Sequence, residues 1–159
     1  FDLYFLENVS PKILTMKTEL LCVGKIKEQW IKQGVNELTK RMRPLLTLAM
    51  TELKDASPER EAEQIINWLE KKTRAKIFVL AEEGAQITSP QVAHEFQHQD
   101  RDFVFVIGGP EGLSNKVKQR ADVLLSLSKM TLLHEMARVI LLEQIYRAQM
   151  INKGKAYHK

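Results

Sequence analysis

The chain has 159 residues, 44% hydrophobic and 28% charged, which is enough apolar material for one core and too little for two ordinary domains. Its single cysteine, Cys22, excludes an internal disulfide and a cysteine-built metal cage, and within the apolar run 20–23 it reads as a small buried hydrophobe of a reducing compartment. The formal charge of +4 at neutral pH is a modest basic excess that suits a polyanionic partner.

Residues 1–15 carry Asp2, Glu7 and Lys12, acidic where a secretory signal would be basic, and a strand pattern starts directly after Met16. The reading is a leader or vector-derived segment over 1–15 of net charge −1, followed by one functional unit over 16–159 of net charge +5. A first strand is expected over 17–23 and a first helix near 28–42, followed by a strand over 45–53. Ser57-Pro58 with Glu61 opens a helix near 58–72, and a strand follows at 76–81. Ser89-Pro90 opens the next helix, 90–98, before the five-residue apolar run Phe103–Ile107 inside a strand at 102–107. A helix near 113–120, a strand at 122–127 and a long helix over 132–151, capped by Thr131, complete the series. Strands alternating with helices predict an α/β fold: a single-domain, open, mainly parallel sheet with helices on both faces. Such sheets bind ligands beyond the carboxyl ends of their strands. No apolar run approaches membrane-spanning length, so a cytoplasmic protein is expected.

Four stretches carry candidate chemistry. His94-Glu95-Phe96-Gln97-His98 matches H-E-x-x-H, but its helix stops near Asp100, is crowded with glutamines and has no downstream third ligand, so no metal is expected. Gly108-Gly109-Pro110-Glu111-Gly112-Leu113 follows the strand at 102–107, where glycines let a ligand approach the backbone. Pro110 has no N–H and Glu111 is anionic, so the loop suits a neutral or cationic adenosyl ligand better than a pyrophosphate. Leu127-Ser128-Lys129-Met130-Thr131-Leu132 joins a strand to a helix, with backbone donors, acceptors and apolar side chains for a purine and a methionine chain. The long helix places His134 and Arg138 on one face, four residues apart, and is apolar over so much of its remaining surface that it needs more than one partner. Between Lys129 and the end stand six Lys or Arg against two Glu, finishing on Lys153, Lys155, Ala156, Tyr157, His158 and Lys159.

These strings, dense from Asp102 to Lys159 and sparser from Met16 to Gly84, resemble the SPOUT methyltransferases that modify N3 of a pseudouridine in large-subunit ribosomal RNA. The resemblance implies a C-terminal trefoil knot, S-adenosyl-L-methionine as cofactor, and a homodimer acting on ribosomal RNA in the ribosome or large subunit. Carried over by position, it implies a cofactor pocket of Leu80, Gly108 and Leu127, Ser128, Lys129, Met130, Thr131 and Leu132. It also implies a tail that folds over the active site, with Tyr157 stacking on a base and His158 bonding to it. Arg138 would stabilise the imide anion, His134 or His158 would take the proton, and Lys153, Lys155 and Lys159 would meet phosphates. Two departures stand out. Leu133 takes the place of a usual proline, which predicts a looser turn before His134, and Ala85 follows Gly84 where lysine is common, which predicts one RNA contact fewer. The competing class is a non-catalytic nucleotide- or RNA-binding α/β module, with a zinc hydrolase third.

Overall fold

A computed structural model describes residues 16–157 apart from Gln99; the expected leader over 1–15, His158 and Lys159 lie outside the described residues. The elements are β1 (Lys17–Val23), α1 (Gln29–Met42), β2 (Thr47–Leu53), α2 (Pro58–Leu69), β3 (Ala75–Ala85), α3 (Ser89–His98), β4 (Asp102–Ile107), α4 (Asn115–Lys118), β5 (Val123–Leu125) and α5 (His134–Asn152). The order matches the expectation, and the five strands form one sheet, β2-β1-β4-β3-β5, with every pairing parallel. β1 and β4 are interior strands, which is why they are buried along nearly their whole length.

Helices cover both faces. α1, α3 and α5 close one face over Leu20, Cys22, Phe78, Phe103 and Phe105, while α2 and α4 close the other over Leu21, Val23, Val79, Val104 and Val106. α1 and α3 carry steps toward β2 on the first face, and α2 and α4 carry the opposite steps on the second, so all four crossovers share one hand. Cys22 is unpaired and fully buried, and burial pushes its thiol up to about 11, as an inert core residue requires.

The ends of several elements differ from the expectation, each for a local reason. The cap of α2 is Ser57, as predicted, with Arg60 N–H donating to its hydroxyl at 3.4 Å. At α3 the capping residue is Thr88 and not Ser89. Gln91 N–H donates to the Thr88 hydroxyl at 3.3 Å and Thr88 N–H donates back to Gln91 Oε1 at 2.7 Å, a reciprocal capping box. Ser89 is thereby free to donate to Gln144 of α5 at 2.6 Å. α5 begins at His134 with Leu133 as its N-cap and no side-chain cap bond, so Thr131 does not cap it. α4 shrinks to four residues, β5 stops at Leu125, and β3 runs on to Ala85 through a register shift against Leu125. That extension crosses β5 closely: a Cβ on Gly84 would stand 2.6 Å from Leu124 O, so only glycine fits.

Beyond α5 the chain turns back. Gly154 adopts φ +62, its N–H donates to Ile151 O at 2.9 Å, and Lys155 N–H donates to Met150 O at 2.9 Å, the two bonds of a Schellman motif. No described helix is long and apolar enough to cross a membrane.

Candidate active site

Because the sheet is parallel throughout, the carboxyl ends of all its strands lie at one end, and there the connections open a cleft of about 360 Å³. Three chain segments and the first turn of α5 wall it. They are the β3 extension (Leu80 to Glu83), the β4–α4 loop (Ile107 to Leu113) and the β5–α5 connection (Leu127, Ser128, Met130, Thr131 and Leu132). His134 and Ala137 complete the wall from α5. The structure therefore brings together Leu80, Gly108, Leu127, Ser128, Met130, Thr131, Leu132 and His134, residues spread over more than fifty positions. Lys129 stands exposed beside the cleft and is not part of its wall.

The shape of each wall follows from its residues. Gly112 N–H donates to Gly109 O at 3.0 Å, closing a turn with Pro110 and Glu111 at its centre, where proline's fixed φ is favoured. Gly108 is pressed against this turn, since a Cβ there would meet Leu113 Cγ at 2.8 Å and Gly112 C at 3.0 Å. A side chain at Gly108 would thus displace the turn first and fill the cleft only as a result. In the β5–α5 connection, Met130 N–H donates to Ser128 Oγ and Ser126 Oγ donates to Ser128 O, both at 2.9 Å. The local turn holds the connection in shape while Met130 remains 76% exposed.

The lining is apolar at its base, with Ile107, Leu113, Leu125 and Leu127, and acidic at its rim, with Glu82, Glu83 and Glu111. Lys118, the single basic residue of the lining, is paired with Glu83. Such a lining repels polyphosphates and suits a purine joined to a cationic or zwitterionic chain. His134 is half-buried, and its Nδ1 is buried without a hydrogen-bond partner among the described residues. Burial, and then the positive charge of Arg138, hold its imidazole below the ordinary histidine range, so it is neutral at pH 7.

Arg138 departs from the expectation of a cation facing a substrate. It is 0% exposed; Nη1 donates to Glu52 Oε1 at 2.7 Å, and Nη2 donates to Val23 O at 3.1 Å and Gly24 O at 2.6 Å. A long buried side chain that ties α5 to the ends of β1 and β2 is positioned to shape the site from behind. Glu135, a residue the sequence does not single out, does the same one turn earlier. It is 3% exposed and its Oε2 accepts from Lys27 N–H at 3.0 Å and Glu28 N–H at 3.1 Å. The available signal was a carboxylate on an otherwise apolar helix face beside His134.

As far as Tyr157 the tail is packed on α5, away from the cleft of its own chain. Tyr157 OH donates to Glu143 Oε1 at 3.1 Å, its ring meets Tyr146 edge-on at 5.0 Å, and the Arg147 guanidinium lies 4.7 Å from its centre. Glu143 and Arg147, an ion pair four residues apart on α5, thus form a seat for Tyr157. At 1.5 Å per helical residue that seat lies roughly 14–20 Å along α5 from His134. Lys153 is half-buried and Lys155 exposed at the turn itself. The H-E-x-x-H motif also lies apart from the cleft. His94 and His98 are exposed with ring centres 4.1 Å apart, and Glu95 pairs with Lys76.

Comparison with known proteins bears on this arrangement. A family described as predicted SPOUT methyltransferase matches residues 16–158. A Lactococcus lactis (strain IL1403) protein named ribosomal RNA large subunit methyltransferase H is 42% identical, covering 91% of this chain and all of that one. The protein of the same name from Geobacter metallireducens is 42% identical over 90% of this chain and 99% of its own. Among solved structures, a probable methylase family protein from Haemophilus influenzae shares the fold with a TM-score of 0.57 at 15% identity, over 92% of this chain and 71% of that one.

Proposed function

Because the chain belongs to the SPOUT methyltransferase family, we propose that it methylates large-subunit ribosomal RNA at N3 of a pseudouridine, with S-adenosyl-L-methionine as donor. The observation that carries this reading is a neutral histidine with an unpartnered ring nitrogen in the wall of an acid-rimmed cleft built from the connections named above. When bound, the cofactor supplies an electrophilic methyl group on a sulfonium. The donor set fits it: backbone groups at Gly108 and over 128–132, an apolar floor, and Glu82 and Glu111 for positive charge.

The remaining work falls to the protein's own groups. An imide nitrogen attacks only after losing its proton, and His134, held neutral by burial, takes that proton on its imidazole. Arg138 acts by position, fixing the first turns of α5 against β1 and β2 and opposing charge on His134 until a proton arrives. The carboxyl-end rim and the cleft define the approach of the base. His158 and Lys159 belong to the same reading as partners of the RNA, with Lys153, Lys155 and Tyr157. Since Tyr157 sits far from the cleft of its own chain, a homodimer in which the tail serves the partner's cleft accommodates these roles. The close crossing at Gly84 supports a trefoil knot there, and the family match from Met16 supports a methyltransferase unit over 16–159. A cytoplasmic setting and a metal-free reaction complete the reading.

Calorimetry with S-adenosylmethionine, its demethylated product, NAD and ATP, paired with transfer of labelled methyl to ribosomes that lack the modification, tests the proposal. Binding of the first two ligands alone, with label on pseudouridine N3, is expected. Cofactor binding with no transfer to any ribosomal RNA would leave a binding module in its place.

A further inference from the structure

We propose that the β1–α1 loop, Lys25 to Lys27, with Trp30 in the first turn of α1, receives the RNA strand beside the cleft; this rests on the methyl-transfer reading and adds the surface that meets substrate. The loop leaves β1 at the same end of the sheet as the cleft. It is held at both ends by α5: Arg138 bonds the carbonyls of Val23 and Gly24, and Glu135 accepts the N–H groups of Lys27 and Glu28. Its backbone is therefore locked to the helix turn that carries His134, and only its side chains are left to act.

Those side chains are the right ones for a polyanion. Lys25 and Lys27 are both exposed, and neither forms a salt bridge with any described residue. The Lys27 N–H is bonded to Glu135, the chain neighbour of His134, which sets the loop beside the first turn of α5. Trp30 is 56% exposed, so its indole face is open to a partner. Two exposed lysines near an open indole ring make a platform for an unpaired strand: charges for its backbone, a π-face for a base.

The test compares wild type, Lys25→Gln/Lys27→Gln, Lys25→Arg/Lys27→Arg and Trp30→Ala by methyl transfer to ribosomes and to a pseudouridine-containing rRNA stem-loop. Salt is varied, and S-adenosylmethionine affinity is measured in parallel. The glutamine pair is expected to raise KM for RNA roughly tenfold and to flatten the slope of log KM against log salt by roughly 1–2, because about 0.7–0.9 is lost per phosphate contact. The arginine pair should restore both, and cofactor affinity should stay within twofold throughout. Trp30→Ala should raise KM roughly tenfold with the salt slope unchanged, as for a lost stacking contact. Wild-type KM and salt slope in the glutamine pair would overturn the proposal while leaving the methyltransferase reading intact. Loss of cofactor affinity in that pair would overturn it by placing the loop in the cofactor site, and dissociation of a dimer by Trp30→Ala would reassign that residue to a subunit contact. A wild-type protein that neither binds S-adenosylmethionine nor methylates RNA would remove the parent reading and this one together.

Discussion

At the scale of single residues, His134 links the site to pH. Burial and Arg138 place its pKa in the folded chain below the ordinary value of about 6.5 that it regains on unfolding. Below pH 6.5 the unfolded chain binds this proton first, so the contribution of the neutral imidazole to stability is whole above that pH and is lost as pH falls through the lower folded value. The same depression keeps the base ready at neutral pH. We therefore expect kcat/KM for RNA to fall on the acid side with an apparent pKa under 6.5. His134→Gln should abolish that limb and lower kcat by roughly 10²–10⁴-fold, the usual worth of a general base. A pH–rate profile with methyl transfer as readout checks both, and cofactor affinity close to wild type in His134→Gln would separate loss of a base from collapse of the cleft. The residue was legible in the sequence as one of two candidate bases, the other being His158. Its neutrality was not, because it depends on burial by segments far along the chain.

Among the elements, α5 keeps its expected extent to within two residues but not its expected cap. Leu133, where the resemblance implies proline, adopts φ −56, inside the range that a proline ring imposes, and its N–H has no backbone acceptor among the described residues. The geometry before His134 is thus kept, contrary to the looser turn expected, and what the chain forgoes is restriction of its unfolded state. Leu133→Pro should stabilise the fold by about 0.4–1 kcal/mol with unchanged kcat, measured by thermal or urea unfolding. Other boundaries show where local patterns stop being informative. Thr88-Ser89-Pro90 offers two hydroxyls to one helix start, and the choice falls to Gln91, three residues beyond Thr88. The expected strand stops at 81, before the polar Glu82-Glu83, yet Glu82 to Ala85 continue β3, and Glu82 and Glu83 join one wall of the cleft. The apolar run 122–127 reads as one strand, but its last residues leave the sheet for the cleft wall. By contrast β1, β4 and α1 match their patterns to within a residue, since their periodicity reflects burial on faces that the sheet itself dictates.

For the whole molecule, the distance between the seat of Tyr157 and His134 decides how a tail and a cleft can cooperate. If the tail of each chain serves its partner, two different defects should complement one another. Deleting residues 157–159 leaves a chain with an intact cleft and no tail, while His134→Gln leaves a tail and no base. Each homodimer should be inactive. A mixture allowed to exchange subunits should recover up to about a quarter of wild-type transfer, because half the dimers are mixed and each carries one competent pairing. No recovery from stably mixed dimers, verified by sedimentation and differential tags, would return the tail to its own chain. The clamps on the β1–α1 loop carry a further consequence, one of timing. Glu135 and Arg138 reach partners more than a hundred residues earlier, so β1 is synthesised long before the loop at its end has anything to hold it. The lysines beside the cleft take their final positions only when α5 docks. Emergence of α5 from the translating machinery thus sets the earliest moment at which the newly made chain can grip RNA in the working geometry, and a chain cut short before α5 would have sheet without grip.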